Sequence, residues 1–254
     1  MNMFAIIGGS GLAKLSALDS IERRVMRTPY GEPSGAITLG RLGGRDIVFL
    51  ARHGYGHTIA PHEINYRANI WALKELKVRG ILAVATVGSV NEALVPGTLV
   101  VPDQLIDYTY GRKSTFFEGS ETPVTHIDFT EPYSNELRLR LLAAAAGVGE
   151  AVVDGGTYAC TQGPRLETAA EIERIRRDGG DLVGMTGMPE ASLAREAGLA
   201  YASLGVVVNH AAGLGASKHQ ILLADLESVM KATVARALRV LEATVSEPFE
   251  GNAK

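Results

Sequence analysis

Apolar and polar positions along this chain alternate between two rhythms. Short apolar-rich runs at 4–7 and 80–90 read as buried strands, and those at 99–102, 152–161, 181–186 and 199–208 read as further strands. Residues 36–51, AITLGRLGGRDIVFLA, read as two strands about a Gly43-Gly44 turn, a hairpin signal. Between these runs lie segments with helical spacing. Residues 64–78 place Ile64, Ala68, Trp71 or Ala72, and Leu76 on one face, and 134–146 is alanine-rich. Residues 167–177 also look helical, and 189–198 has Pro189 in its first turn with Gly198 past its end. The strongest amphipathic pattern runs from Leu222 to Thr244, with Leu226, Val229, Met230, Val234, Ala237, Leu238 and Leu241 on its apolar stripe. Residues 107–133 are irregular and contain several aromatics, and 246–254 read as a loose C-terminal tail after one domain spanning 1–245.

Strands alternating with helices predict a single-domain α/β fold with a central mixed sheet flanked by helices. Ligands in such folds bind outside the carboxyl ends of strands. That rule selects six segments, 8–11, 52–57, 86–89, 161–167, 185–190 and 209–215, each following a strand.

Composition narrows the partners. Lysine plus arginine number 25 against 28 acidic residues, a formal charge of −3, which gives no electrostatic case for nucleic acid. No run approaches the ~20 apolar residues of a membrane helix, and the N-terminus lacks the basic stretch of a signal peptide. The single cysteine, Cys160, excludes an internal disulfide and points to a reducing cytoplasm. It sits in mid-strand, where a buried core role outweighs a nucleophilic one. Six histidines without H-E-x-x-H spacing, and no aspartate cluster, give no metal site. Asp181, Glu190 and Glu196 read as solvated or capping charges.

The first strand runs into GGSGL at 8–12. A dinucleotide fingerprint needs a third glycine where Lys14 stands, and the GK[ST] ending of a P-loop is missing. A tight strand exit and a single-phosphate loop carrying Ser10 both fit this stretch. ARHGYGH at 51–57 adds Arg52, whose planar fork matches two phosphate oxygens, and His53 as a neighbouring donor. Thr86, near Gly88-Ser89, and Thr186, in GMTGMPE, bring further hydroxyls to strand ends. Ser10, Arg52, His53, Thr86 and Thr186 together suit one small dianion.

With these residues assembled, the sequence resembles the trimeric purine nucleoside phosphorylase and methylthioadenosine phosphorylase family. The resemblance is carried by IIGGSGL (6–12), ARHGYGHTIAPHEINYRANIWALKEL (51–76), VGSV (87–90), GTYACTQGPRLETAAEI (156–172) and GMTGMPEASLAREAGL (184–199). It implies reversible phosphorolysis of a nucleoside, with inorganic phosphate as co-substrate and no metal or organic cofactor. Phosphate attacks the anomeric carbon through a transition state like an oxocarbenium ion, so catalysis rests on positioning and on stabilising the departing base. By motif matching, the phosphate falls to the five residues above, Met185 lies against the ribose and Leu166 near the base. The resemblance also implies a homotrimer, with His126 reaching a neighbour's ribose pocket.

Substrate choice rests on fewer positions. Adenine-using relatives resemble one another in carrying Asp where this chain has Asn209, a second Asp two residues on where it has Ala211, and Ser where it has Glu167. An Asn209 amide donates to a purine O6 and accepts from a protonated N7, and a Glu167 carboxylate accepts from N1–H, which adenine lacks. Leaving such groups unpaired is costly, so they discriminate strongly. Read this way Asn209 and Glu167 are the catalytic base contacts, with His210 and Ala211 beside them. Relatives that bind a 5′-hydroxyl use a histidine on the last helix, where this chain aligns Leu223, with Leu226 nearby; His219 is the other candidate. Two leucines suit a methylthio group. These positions imply S-methyl-5′-thioinosine as the nucleoside, with inosine or guanosine, and methylthioadenosine, as the alternatives.

Overall fold

A computed structural model of the chain describes residues 3–12, 18–120 and 122–247; the side chains of residues 20 and 223–225 lie outside the described set. Its frame is an eleven-stranded mixed sheet. Strand β1 (Phe4–Gly8) is buried along its whole length and lies parallel to both β4 (Arg45–Ala51) and β5 (Gly80–Ser89). β3 (Ile37–Leu42) and β4 form the predicted hairpin, with Gly43 and Gly44 at φ of 55° and 74°. Positive φ at both central residues matches the twist of the paired strands and favours glycine. A Cβ on Gly43 would also meet the Ser246 hydroxyl at 2.0 Å.

The long strand β11 (Ala200–His210) pairs with β5 from end to end, and β10 (Leu182–Gly184) meets the last residues of β5 from the other side. β1 stops pairing at Ala83, so its glycine loop diverges from β5 before β10 joins at Gly88 and Ser89. That divergence opens the sheet at the carboxyl ends of three strands, the place where α/β folds bind ligands.

Alternating side chains send each strand into two cores. Phe4, Ile6, Leu82, Val84, Leu204 and Val206 pack with Leu137 and Leu141 of α2 (Asn135–Gly147) and with Val240 and Leu241 of α5 (Leu223–Ser246). Ala5, Ile7, Ile81 and Ala83 pack with Ile70 and Leu73 of α1 (Tyr66–Glu75) and with Ala191 and Leu193 of α4 (Gly187–Glu196). Period-two alternation over two buried faces explains why these strands read as unbroken apolar runs.

The structure departs from the sequence pattern at several places. β2 (Asp19–Arg24) is a polar edge strand on β3, and β7 (Gln104–Asp107) pairs with β9 (Thr157–Cys160); neither carries an apolar run. The single strand expected at 152–161 is two, β8 (Val152–Asp154) beside β6 (Leu99–Val101) and then β9, broken at Gly155-Gly156. Helix α3 (Ala169–Arg177) starts after a capping box in which Thr168 and Glu171 satisfy each other's backbone N–H. Glu167 is therefore in the loop before the helix and not in its first turn. α5 runs through Ser246, and residues 248–254 of the expected tail lie outside the described residues.

Candidate active site

Where β1, β5 and β11 end, the fold leaves a cleft of about 470 Å³. It is lined by Ser10, Arg52, His53, Thr86, Leu166, Glu167, Met185, Thr186, Asn209, Ala211 and Leu226, residues drawn from seven separate stretches of chain. The fold thus brings together all five members of the expected anion set and most of the expected nucleoside set.

Arg52 is the one cation of the anion end among the described lining residues and is almost fully buried. Its Nε and Nη2 donate to the two carboxylate oxygens of Glu190 at 2.7 and 2.8 Å, and Nη1 donates to the Val84 carbonyl at 2.9 Å. Tyr201 donates its hydroxyl to the same carboxylate at 2.9 Å. Burial alone would lower the Arg52 pKa; the Glu190 carboxylate more than reverses this and holds it above the usual value. A guanidinium has five N–H groups, so one remains on each terminal nitrogen, a fork for two oxygens of one anion. Glu190, expected as a solvated charge, is instead completely buried, and it makes the burial of Arg52 possible. Glu196 and Asp181 also leave solvent in part, accepting from the backbone N–H groups of Phe116 and Thr157.

The glycine loop closes over this guanidinium. Arg52 N–H donates to the Gly8 carbonyl at 2.9 Å. A Cβ on Gly9 would lie 2.8 Å from both Arg52 Nη1 and the Val84 carbonyl oxygen, so only glycine lets the loop approach so closely. Ser10 then stands at the mouth, 3.5 Å from His57 Nε2. Thr186 precedes α4, its hydroxyl makes no capping hydrogen bond, and the residue lines the cleft.

His53 differs from the expectation of a donor. Its Nδ1 is 2.8 Å from the Ile59 carbonyl, which accepts but cannot donate, so Nδ1 carries the proton. Burial, and then the Arg52 cation, push its pKa down to about 4. The ring is therefore neutral near pH 7, and Nε2 presents a lone pair.

At the other end of the cleft, a β-bulge between Val207 and Asn209 inserts Val208 into the β5–β11 ladder. Two consecutive residues, Val208 and Asn209, then line the cleft, which strict alternation would forbid. Asn209 Nδ2 donates to the His210 carbonyl at 2.6 Å, which fixes the amide and leaves Oδ1 unbonded among the described residues. The bulge turns His210 away: its Nδ1 meets Ser89 Oγ at 3.0 Å and its ring covers Gly215, so this expected base contact does not line the cleft. Glu167 Oε1 accepts from Thr161 Oγ1 at 2.6 Å, which orients the carboxylate.

Apolar side chains of Ile221 and Leu226 cover the cleft, and the Leu223 side chain lies outside the described residues. His126 is exposed and does not line this chain's cleft. Cys160 is buried, its thiol pushed up to about 12 by that burial, in keeping with a core role.

Sequence reasoning missed Arg112, from the irregular 107–133 segment. Its Nη1 donates to the Met185 and Met188 carbonyls at 2.9 and 2.5 Å, and Nη2 to the Gln162 carbonyl at 2.8 Å. One guanidinium thus ties the loop before Glu167 to the loop carrying Met185 and Thr186. Among the described residues no group of His, Cys, Asp and Glu is placed to hold a metal, and no helix is long and apolar enough to cross a membrane.

The open sheet end thus gathers a charge-paired arginine, a glycine loop, three hydroxyls, an amide and a carboxylate in one cleft. Residues 3–246 match the Phosphorylase superfamily, and the chain belongs to that family. It is 54% identical over 245 residues to a protein of Pseudomonas syringae pv. tomato named "Probable S-methyl-5'-thioinosine phosphorylase", covering 94% of this chain and 99% of that one. It is 51% identical over 223 residues to the 6-oxopurine nucleoside phosphorylase of Pyrococcus furiosus, covering 86% and 83%. The adenine complex of Schistosoma mansoni methylthioadenosine phosphorylase superposes with a TM-score of 0.92 at 34% identity, covering 97% of this chain and 91% of that one.

Proposed function

We propose that this protein catalyses the phosphorolysis of S-methyl-5′-thioinosine to hypoxanthine and 5-methylthioribose 1-phosphate, with inorganic phosphate as co-substrate. One observation carries the reading. Asn209 and Glu167, an amide and a carboxylate suited to a 6-oxopurine, share one cleft with the Arg52 fork and the hydroxyls of Ser10, Thr86 and Thr186. Phosphate held by that fork attacks C1′ as the bond to N9 breaks. Asn209 Oδ1 accepts from the protonated N7 of the leaving base, its remaining amide N–H donates to O6, and Glu167 accepts from N1–H. Ile221 and Leu226 offer an apolar surface to the 5′ substituent, and the name of the Pseudomonas relative supports a methylthio group there. No metal or organic cofactor takes part. The exposed His126 suits a homotrimer in which it reaches a neighbour's ribose pocket, and the free, buried Cys160 suits the cytoplasm.

The Pyrococcus relative favours inosine or guanosine as the competing substrates, and the Schistosoma structures favour methylthioadenosine. Comparing kcat/KM for methylthioinosine, inosine and methylthioadenosine tests the reading, with the first expected to lead. Inosine in the lead removes the methylthio assignment, and methylthioadenosine in the lead removes the roles of Asn209 and Glu167. Combining Asn209→Asp with Glu167→Ser is expected to move preference toward 6-aminopurines, read as the ratio of the two methylthionucleoside rates.

A further inference from the structure

The anion end of the cleft has one group that cannot donate. Arg52 offers two free N–H groups, and Ser10, Thr86 and Thr186 offer hydroxyls. His53 stands beside them with its only proton bonded to the Ile59 carbonyl at 2.8 Å. Its Nε2 makes no hydrogen bond among the described residues. The buried side-chain nitrogen and oxygen atoms without a partner are, among the described residues, Arg67 Nε and Tyr133 Oη, so His53 Nε2 opens on the cleft. The titratable and charged groups around the ring are Arg52 next to it in the chain, His57 with its ring centroid 4.5 Å away, and Glu190 behind Arg52. Burial disfavours an imidazolium most, the Arg52 cation adds to that, and Glu190 is already engaged by Arg52.

We propose that His53 Nε2 accepts a hydrogen bond from the O–H of a hydrogen phosphate ion, so that the site selects protonated tetrahedral anions and discriminates against sulfate. The inference rests on the phosphorolysis reading above and adds the protonation state of the co-substrate. Hydrogen phosphate and hydrogen arsenate both carry an O–H near neutral pH, whereas sulfate carries none. Sulfate would fill the Arg52 fork equally well but set a bare oxygen against the Nε2 lone pair. An acceptor facing an acceptor in a desolvated site forfeits a hydrogen bond and adds repulsion.

The test is calorimetric titration of the unliganded protein with inorganic phosphate, arsenate and sulfate near neutral pH. Phosphate and arsenate are expected to bind at least about tenfold more tightly than sulfate. His53→Gln, which presents an amide N–H to either ion, is expected to bring phosphate and sulfate within about threefold of each other. Nitrogen NMR of histidine-labelled wild-type protein gives a readout independent of that variant's folding: on phosphate binding, His53 Nε2 should stay unprotonated and shift as a hydrogen-bond acceptor. Equal phosphate and sulfate affinities, or an imidazolium at His53 in the complex, overturn the inference. Hypoxanthine release from methylthioinosine, measured on the same preparation, separates the two readings. Phosphate-dependent turnover with equal sulfate binding leaves the reaction standing without the selectivity. Selective phosphate binding without turnover removes the reaction alone.

Discussion

Glu190→Gln is the sharpest perturbation of this site, because it keeps volume and removes charge. In the native protein the Arg52 and Glu190 side chains are 1% and 0% exposed and bonded through two parallel hydrogen bonds of 2.7 and 2.8 Å. The glutamine offers one acceptor oxygen and turns an N–H against the guanidinium, which stays charged and buried. Removing one partner of such a pair costs about 3–5 kcal/mol, out of about 5–15 kcal/mol holding a whole domain. For a chain of this length each kcal/mol lowers Tm by roughly 2–4 °C, so a fall of about 6–20 °C is expected in phosphate-free buffer. The Tyr201 hydroxyl, which also donates to Glu190, loses part of its bond and places the effect in the upper half of that range. Scanning calorimetry with and without phosphate makes the test specific. An anion in the cleft takes over as counter-ion to Arg52, so phosphate should raise Tm more in the variant than in wild type. A variant that melts within about 2 °C of wild type, with an unchanged phosphate shift, would refute the claim that Glu190 makes Arg52's burial possible.

Two further outcomes follow from the same geometry. Because the folded pKa of His53 lies near 4, below its unfolded value of about 6.5, the unfolded chain binds the extra proton between those values. Its contribution to stability is thus complete above about pH 6.5 and is lost toward pH 4, with a slope of up to ~1.4 kcal/mol per pH unit; denaturant titrations across that window should flatten in His53→Gln. Gly9→Ala sets a methyl 2.8 Å from Arg52 Nη1 and the Val84 oxygen, so the loop must retreat. Phosphate KM should then rise by about tenfold or more while the methylthioinosine KM moves little, and a loss confined to the nucleoside would contradict the placement.

That Ser10, Arg52, Thr86 and Thr186 meet in one cleft was legible because they follow strand ends in short polar-glycine stretches, where sequence and fold rules coincide. Ser10, Arg52, Thr86 and Thr186 each needed only a strand boundary to be found. What could not be read is where distant segments meet. Glu190 looks like any helix-start carboxylate until Arg52, 138 residues earlier, is seen against it. The donor role expected of His53 failed for a similar reason, since its tautomer is set by a backbone carbonyl. His210 was misplaced by one inserted residue, because a bulge shifts the facing of all that follows it and leaves no mark in composition. Arg112 lies in a segment with neither rhythm, and its partners are carbonyls, which every residue type supplies.

Strand β5 also acts as a measuring rod. Thr86 borders the anion end and Gly88 the base end of the same strand, two residues or about 7 Å apart at the rise of a pleated chain. Neighbouring strands grip that stretch, β11 along its length and β10 at Gly88 and Ser89. Under the proposed reading, the spacing between attacking anion and departing base is therefore set by a strand hydrogen-bonded to a neighbour on either side. Specificity can drift at the ends, through a carboxylate here or a leucine there, without altering the separation the reaction requires. A sheet with this register is a gauge cut for one bond exchange.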